Sequence, residues 1–448
     1  MLLLSALLTF ILHASKVRGL DNGLAITPQM GWNTYNHFGC DISETSILNT
    51  AKAMVANNLT KLGYEYVLID DCWQAPARDP NTGAPVANSD KFPRGIKALA
   101  DDVHALGMKV GQLHVTISFG WLTSRGDPSQ KFGIYSNAGK LTCGSRFGSL
   151  GHEEIDAKTY AEWGVDYLKY DNCYNEGQAG TPKLSFDRFA AMSYALNATG
   201  RPILYSVCNW GEDGPWNFAP TIANSWRISG DIMDNFGRFD ERCPCTSALD
   251  CKLPGFNCAM ARIIDFAAPL GQKARQGAWN DLDMLEIGNG GMTYDEYVSH
   301  FTFWSILKSP LILGNDITNM SPETLEIITN KAIIDINQDP AASPATRRWK
   351  RSVPGGDLSL WSGSLVNYRF IFALLNTSPK SQTVDIDFTD VFVDQGTVYQ
   401  HQPYALSDLW QKDASGNWGK PLGTFQGSLS KVVIGSHQTK IWMAVPAP

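Results

Sequence analysis

The chain has 448 residues, more than one hydrophobic core usually holds, so two domains are expected. Its composition, 44% hydrophobic and 18% charged, is typical of a globular protein. The net charge is −7 and no long basic run occurs, which argues against a surface for nucleic acid or anionic membranes. These numbers favour a protein that acts on a neutral substrate.

Residues 1–19 predict a secretory signal peptide. Their apolar run of about a dozen residues is followed by small residues and is too short to span a membrane. We place the cleavage point within residues 14–20 and expect a secreted, extracellular protein with no membrane attachment. An oxidising compartment favours disulfides, and the odd count of nine cysteines leaves at least one outside an intrachain pair. N-x-S/T sequons predict glycosylation at Asn58, Asn197, Asn319 and Asn376.

Short apolar runs that end on polar residues recur through residues 20–343. Helical patterns such as 45–62 and 183–197 lie between most of them. The predicted strands cover 30–33, 66–71, 132–136, 166–171, 203–207, 225–228, 278–281 and 310–314. Eight strands alternating with helices predict an α/β fold, a (β/α)8 TIM barrel, whose catalytic groups lie at the C-terminal strand ends.

The pattern changes in residues 344–448, where helical periodicity disappears. Strand-like stretches split by Gly, Pro, Asn and Ser cover 358–361, 368–375, 383–388, 397–400, 405–410 and 431–445. They predict a C-terminal antiparallel β-sandwich domain. It carries no cluster of carboxylates, so we expect its role to be structural.

Acidic residues stand at four of the predicted strand ends of the barrel. They are Asp70 and Asp71, Asp171, Asp231, and Asp281 with Asp283. Lys169 and Arg227 accompany them, and the two-residue period of a strand puts Lys169 on the same face as Asp171. Any one of these acids is commonly a solvated loop residue or a helix cap. Four in succession favour paired-carboxylate chemistry such as glycoside hydrolysis.

Other chemistries lack their sequence signals. The aspartates are suited to a hard cation, but no calcium loop, H-E-x-x-H or C-x-x-C motif occurs. Neither a G-x-S-x-G turn nor a glycine-rich phosphate loop is present. We therefore expect no metal and no cofactor.

Several motifs in fixed order resemble glycoside hydrolase family 27, whose members are α-galactosidases and α-N-acetylgalactosaminidases. The motifs are PQMGWNTYN, YVLIDDCW, GIYSNAG, YLKYDNC, CNWGED, WRISGD and WNDLDML. The resemblance covers nearly all of residues 21–448 and implies a barrel, an antiparallel β domain and a retaining mechanism. It implies Asp171 as the nucleophile and Asp231 as the acid/base. Around the galactose it places Trp32, Asp70, Asp71, Tyr135, Cys143, Lys169, Arg227 and Asp283.

These implied roles are chemically reasonable. Lys169 would hold Asp171 ionised, while Asp231 would keep a proton until it passes to the departing oxygen. Asp70 and Asp71 would accept hydrogen bonds from the C4 and C6 hydroxyls, which discriminates galactose from glucose. Trp32 would stack under the apolar face of the ring.

The loop containing Cys208 and Trp210 separates the two activities of this family. A thiol and an indole near C2 leave room for a hydroxyl group but not for an acetamido group. We therefore expect a secreted α-galactosidase acting on terminal α-galactosides of oligosaccharides or galactomannan side chains. The alternatives are an α-N-acetylgalactosaminidase and a catalytically inactive galactose-binding protein, and the oligomeric state stays open.

The resemblance also implies disulfides Cys40–Cys72 and Cys143–Cys173, which leave Cys208 as the free thiol. The other four cysteines lie in ERCPCTSALDCKLPGFNC, an insertion similar to that of fungal members. Sequence allows three pairings among them. We favour the nested one, Cys243–Cys258 with Cys245–Cys251.

The segment Val110–Lys131 departs from the family pattern, in which GMK would run directly into FGIYS. Its 22 residues correspond to 66 nucleotides at three per residue, which keeps the reading frame. A valine codon begins with GT, and a lysine codon is able to end in AG. We therefore interpret the segment as an unspliced intron in a gene model. The alternative is a genuine surface insertion, in which VGQLHVTI would compete with FGIYS for the third strand and endanger Tyr135.

Overall fold

A computed structural model of the protein describes residues 22–107, 130–243 and 258–447. The predicted signal peptide, most of Val110–Lys131, and the pair Cys245 and Cys251 lie outside these ranges. Within them, no helix has both the length and the apolar character needed to cross a membrane.

Eight parallel strands form a barrel in the part of the chain that the structure describes. They are β1 Met30–Asn33, β2 Tyr66–Leu68, β3 Lys131–Asn137, β4 Tyr167–Asp171, β5 Leu204–Val207, β6 Ser225–Arg227, β7 Trp279–Asp281 and β8 Leu311–Leu313. Successive strands from β1 to β7 pair in order, and β1 also pairs with β8. A parallel bridge between Leu285, just after β7, and Leu313 of β8 closes the ring.

Helices follow most of these strands and cover the outside of the barrel. They are α1 Tyr35–Phe38, α2 Glu44–Ala56, α3 Gly95–Gly107, α4 Glu153–Glu162, α5 Pro182–Ala198, α6 Met260–Ala267, α7 Tyr294–Ile306, α8 Pro322–Ile328 and α9 Lys331–Asn337. Their starts follow ordinary capping chemistry. The Ser43 and Thr293 side chains, for example, accept from backbone N–H groups of the first turns of α2 and α7.

Side chains fill the barrel interior beneath the C-terminal strand ends. Gly31 on β1 and Gly133 on β3 leave the space that these side chains occupy. A Cβ on Gly31 would lie 2.4 Å from the carbonyl oxygen of Tyr66, and one on Gly133 would lie 2.1 Å from the side chain of Leu68. The apolar cluster in this interior consists of Tyr66, Leu68, Tyr167, Leu204, Met284 and Ile312. The barrel interior is therefore largely packed, and in a fold of this kind a ligand binds at the C-terminal mouth.

The second domain is antiparallel, as the sequence predicts. Its strands are β9 Thr346–Val353, β10 Gly356–Leu365, β11 Arg369–Asn376, β12 Gln382–Asp387, β13 Pro403–Lys412, β14 Trp418–Gln426, β15 Ser428–Ile434 and β16 Thr439–Pro446. Six form a sheet in the order β14-β13-β16-β11-β10-β9, and β12 pairs with β15. Apolar side chains of both sheets, such as Phe372, Trp442 and Ile434, share one core. The predicted fold class is confirmed.

One predicted strand of this domain is wrong. Residues 397–400 belong to a short helix, α11 Thr397–His401, which follows α10 Phe388–Val391. The apolar Val398 is exposed and Tyr399 packs against the domain core, so the stretch lies on the domain surface as a helix rather than pairing in a sheet.

The structure contains the disulfides Cys40–Cys72, Cys143–Cys173 and Cys243–Cys258, and Cys208 is a buried free thiol. These are the pairings expected above, apart from Cys245–Cys251, which lies outside the described residues.

The structure contradicts one of the predicted glycosylation sites. Asn376 is 0% exposed, and its side-chain amide donates to the carbonyl oxygens of Lys380 and Gly435. A glycan has no access to this amide in the folded domain. The other three predicted sites, Asn58, Asn197 and Asn319, are exposed.

Candidate active site

A cleft of about 350 Å³ opens at the C-terminal end of the barrel. Side chains at or after the ends of seven strands, β1 to β7, meet there, which is where a barrel of this kind places its ligand. The lining residues are Tyr35, Asn36, Asp70, Asp71, Tyr135, Cys143, Lys169, Asp171, Trp210, Arg227, Asp231, Ile232, Met233, Asp283, Met284 and Glu286.

Asp171, the last residue of β4, is buried in the wall of this cleft. Its Oδ1 accepts a hydrogen bond from the N–H of Asn172 at 2.9 Å, and its Oδ2 accepts one from the Tyr135 hydroxyl at 2.8 Å. The Cys143 sulfur, which is bonded to Cys173, lies 3.4 Å from the same Oδ2. The carboxylate is thus fixed in one orientation by the ends of two adjacent strands.

Lys169 attracts Asp171 and so favours its ionised form, but the ion pair that the structure gives its ammonium is with Asp70. Its ammonium binds Asp70 Oδ2 at 2.7 Å. Burial raises the pKa of Asp171 to about 7, against the attraction of Lys169, and the charge of Asp231 adds to the rise. The ion pair with Asp70 places a hydrogen-bond donor and an acceptor side by side in the cleft.

Asp70 and Asp71 are both buried at the end of the β2 segment. Asp70 Oδ2 also accepts from the Asn33 amide at 2.7 Å. Asp71 Oδ2 accepts from the backbone N–H of Gly144 at 2.6 Å, where a Cβ on that glycine would lie 3.0 Å from the same oxygen. Burial raises the pKa of Asp71.

Arg227, the last residue of β6, links two carboxylates. Its Nη2 lies 3.0 Å from Asp231 Oδ1 and 2.7 Å from Asp283 Oδ2. Asp283 has a left-handed φ of 82°, costly for a residue with a side chain, and it is held by the N–H groups of Ile232 and Met284. Burial raises the pKa of Asp283 to about 6. Asp231 is 47% exposed, so of these carboxylates it has the easiest contact with incoming water.

Trp210 lines the cleft and Cys208 lies beneath it. Trp210 has a φ of 57°, and the next residue, Gly211, packs so closely on β6 that a Cβ would lie 2.3 Å from the carbonyl oxygen of Ile228. This turn directs the indole to the cleft. The Cys208 thiol is buried, contacts Arg227 at 3.6 Å, and lines a small cavity in the barrel interior instead.

The position of Trp32 contradicts its expected role as a stacking platform. The side chain is 1% exposed, its indole N–H donates to the carbonyl oxygen of Asn315 at 2.8 Å, and its ring packs on Phe38 between strands and helices. Successive residues of a strand alternate in direction, and the neighbouring Asn33 points to the barrel interior. Tyr35, three residues later, lines the cleft with 41% of its surface exposed and lies near the Lys169 ammonium.

The sequence prediction missed six lining residues: Tyr35, Asn36, Ile232, Met233, Met284 and Glu286. All six lie in the segments that follow the ends of β1, β6 and β7, so their place in the chain is the signal that could have found them. Glu286 is buried between the amides of Asn36 and Asn289, and burial raises its pKa to about 8. Within the described ranges, no three His, Cys, Asp or Glu side chains are grouped as a metal site.

The raised pKa values predict that the protein loses stability as pH rises. Asp171 binds its proton more tightly in the folded than in the unfolded chain, so its favourable contribution is complete below about pH 4 and is lost as pH rises through about 7. Asp283 and Glu286 act in the same direction. Replacing Asp171 with asparagine should stabilise the protein at pH 7 by on the order of a few kcal/mol, and much less at pH 4.

Urea unfolding of wild type and variant at pH 4, 5.5 and 7 measures this difference. A stabilisation that stays constant over this range would contradict the burial account of Asp171.

Comparison with known proteins shows which family the chain resembles. The family model described as "Alpha galactosidase A" matches residues 27–130 and 120–339, and "Alpha galactosidase C-terminal beta sandwich domain" matches residues 355–444. The alpha-galactosidase mel1 of Schizosaccharomyces pombe is 46% identical over 97% of this chain and 93% of its own.

Solved structures extend the similarity to the whole fold. Alpha-galactosidase I from Mortierella vinacea has a TM-score of 0.85 at 50% identity and covers 95% of this chain and 99% of its own. The alpha-galactosidase from Saccharomyces cerevisiae, solved with raffinose, has a TM-score of 0.87 at 38% identity with the same coverage. The chain belongs to glycoside hydrolase family 27, among its fungal α-galactosidases.

Proposed function

We propose that this protein is a secreted α-galactosidase that retains anomeric configuration, with Asp171 as nucleophile and Asp231 as acid/base. The observation that carries the proposal is the difference between two carboxylates on one cleft. Asp171 is buried and fixed by hydrogen bonds to both oxygens, whereas Asp231 is half exposed and bound by Arg227. A nucleophile needs a fixed direction of attack, and an acid/base needs access to the leaving group and then to water.

In the first step Asp171 Oδ attacks C1 of the galactose, and the bond from C1 to the leaving oxygen breaks. Asp231 donates a proton to that oxygen. In the second step Asp231 takes a proton from water, the water oxygen bonds to C1, and Asp171 leaves as a carboxylate. Two inversions at C1 give net retention.

Neighbouring groups assist these steps. The hydroxyl of Tyr135 hydrogen-bonds one Asp171 oxygen and stabilises it whenever it carries charge. Arg227 does the same for Asp231 after the proton has left.

Recognition of the sugar falls to the buried polar groups of the cleft. Asp70 and Asp71 accept hydrogen bonds from galactose hydroxyls, and Lys169 donates one. Tyr35 offers the exposed aromatic face next to them. The substrate class is terminal α-galactosides, as in small oligosaccharides or galactomannan side chains. The raffinose bound to the Saccharomyces cerevisiae relative supports this class.

Trp210 gives a test of the proposed specificity. We expect wild-type kcat/KM for p-nitrophenyl α-galactoside to exceed that for the N-acetylgalactosaminide by about 10²-fold or more. The reason is that the indole lines the cleft, where we expect it to exclude an acetamido group. Trp210→Gly, which suits the left-handed backbone, should narrow this ratio by about tenfold or more. Equal rates on the two substrates with the wild-type enzyme would contradict the assignment.

Residues 110–131 are proposed to be an unspliced intron, and the surrounding structure is compatible with their removal. Helix α3 ends at Gly107, contacts β3, and β3 begins at Lys131. Lys131 binds Glu65 at 2.6 Å. Without residues 110–131, Lys109 would directly precede Phe132 and take the place of Lys131, so a lysine would still be available to Glu65.

Sequencing the cDNA tests this proposal, and we expect a transcript that lacks the 66 nucleotides. The chain without residues 110–131 should be at least as active and as stable as the full chain. A transcript that keeps the segment and encodes active protein would refute it.

We also propose that the protein is secreted. We propose glycosylation at Asn58, Asn197 and Asn319, but not at the buried Asn376.

A further inference from the structure

The second domain contacts the barrel beside the loop that carries Asp231. We call residues 231–236 the acid/base loop. His437, in the turn between β15 and β16, stacks its ring on Phe236 of this loop, with centroids 4.5 Å apart and planes at 17°. His437 Nδ1 also lies 2.7 Å from Glu296 Oε1, so a proton on that nitrogen donates to the carboxylate. His437 therefore contacts the barrel domain in two ways, by a ring stack on Phe236 and by a hydrogen bond with Glu296.

Glu296 and its neighbour Tyr297 lie in the first turn of α7, and the two side chains bind opposite partners. Glu296 binds His437 of the second domain and completes the capping of α7. The Tyr297 hydroxyl lies 3.0 Å from both carboxylate oxygens of Asp234 in the acid/base loop. The N–H of Gly291 donates to Asp234 as well, at 2.5 Å. The start of α7 thus fixes the loop and the second domain together.

The Asp231 carboxylate has few direct contacts of its own. Among the described residues, the one side-chain contact that the structure gives its carboxylate is Arg227 at 3.0 Å. Backbone hydrogen bonds hold the loop on either side of this residue. The N–H of Cys258 donates to the carbonyl oxygen of Asp231 at 2.7 Å, and the N–H of Ile232 donates to the Asp283 carboxylate. Phe236 is the far end of the loop, and His437 covers it.

We propose that His437 of the second domain is a positioning residue for the acid/base Asp231. The inference rests on the proposed role of Asp231. It gives the second domain a part in catalysis, acting through Phe236 and the acid/base loop rather than through the substrate. Proton transfer requires hydrogen-bond distance, and a shift of about 1 Å in a catalytic group is enough to lower a rate by up to about 10²-fold.

Leaving-group dependence measures this role directly. A 2,4-dinitrophenyl group departs without a proton, whereas a methyl group needs one, and kcat/KM reports the step in which the leaving group departs. The ratio of the two kcat/KM values does not depend on the fraction of folded enzyme. A loss of stability alone therefore leaves this ratio unchanged.

His437→Asn is the first variant, because asparagine tolerates the left-handed φ of 51° at this position. We expect kcat/KM for methyl α-galactoside to fall about tenfold and that for the dinitrophenyl galactoside to stay within about twofold. Phe236→Leu removes the same stack from the barrel side and should give the same pattern. It keeps the proposal testable if the first variant folds poorly.

Thr302→Val is the matched control. It removes another contact between the domains on α7, the hydrogen bond from Trp410 Nε1 to Thr302 Oγ1 at 2.8 Å, away from the acid/base loop. We expect it to leave the ratio unchanged. Asp231→Asn serves as the reference variant, in which we expect a large change in the ratio of the two kcat/KM values.

A ratio unchanged in His437→Asn and Phe236→Leu, but changed in Asp231→Asn, would overturn the inference and leave the proposed function intact. The same holds if Thr302→Val changes the ratio as much as His437→Asn does. No change in Asp231→Asn would instead overturn the proposed role of Asp231.

Discussion

Replacing Asp171 with asparagine is expected to lower kcat for p-nitrophenyl α-galactoside by about 10⁴-fold or more. The amide has nearly the same size and still accepts from the N–H of Asn172, but it does not form a stable ester with C1. Galactose binding should persist, since Asp70, Asp71 and Lys169 are unchanged. Turnover within about tenfold of wild type would contradict the assignment.

Azide gives the truncated variant Asp171→Ala a distinct signature. A small anion that occupies the space vacated by the carboxylate attacks C1 from the same side as Asp171. The α-galactoside then undergoes a single inversion and gives a β-galactosyl azide.

Replacing Asp231 with asparagine is expected to lower kcat/KM far more for substrates with a poor leaving group than for substrates with a good one. For methyl α-galactoside, kcat/KM should fall by about 10³-fold, because the departing oxygen receives no proton. For the dinitrophenyl galactoside it should stay within about tenfold of wild type, while kcat falls because no base activates water in the second step. Arg227 keeps its contact with Asp283, so the site stays assembled.

The control is again azide, which needs no base. In the Asp231→Asn variant it should speed release of the galactosyl-enzyme and give an α-galactosyl azide, the product of two inversions. A uniform loss on both substrates, or an azide product of β configuration, would contradict the acid/base assignment.

The fold and the charged residues of the site follow from patterns in the sequence, whereas Tyr135, Cys143 and Trp210 are implied by the family resemblance. Eight apolar runs separated by helical stretches imply a closed parallel sheet, and polar residues at the ends of those runs imply a site at its mouth. The two-residue period places Lys169 and Asp171 together on β4, as the structure also has them.

The errors have local physical reasons. Trp32 lies in a strand, where alternation turns it to the outer layer. Tyr35 is instead the first residue of α1, a helix of four residues that is too short to show a periodic pattern in the sequence. The second-domain strands β9 and β14 were missed because they form the two edges of their sheet. TRRWKRSV is highly charged and WGKPLGTFQ contains proline and glycine, features that edge strands tolerate.

The sequence could not predict which side chains of the site form ion pairs with each other. Lys169 has several carboxylates within the same cleft, and only the three-dimensional arrangement shows that it binds Asp70 rather than Asp171. Similarly, no sequence period relates His437 to Phe236, since the contact joins two domains.

Trapping the galactosyl-enzyme tests the central claim most directly. The Asp231→Asn variant, mixed with dinitrophenyl α-galactoside, should accumulate a covalent adduct because glycosylation stays fast and deglycosylation becomes slow. Digestion and peptide mass spectrometry should place one galactosyl group on Asp171, within GVDYLKYDNC. An adduct on another residue, or dinitrophenol release with no covalent adduct, would contradict the account.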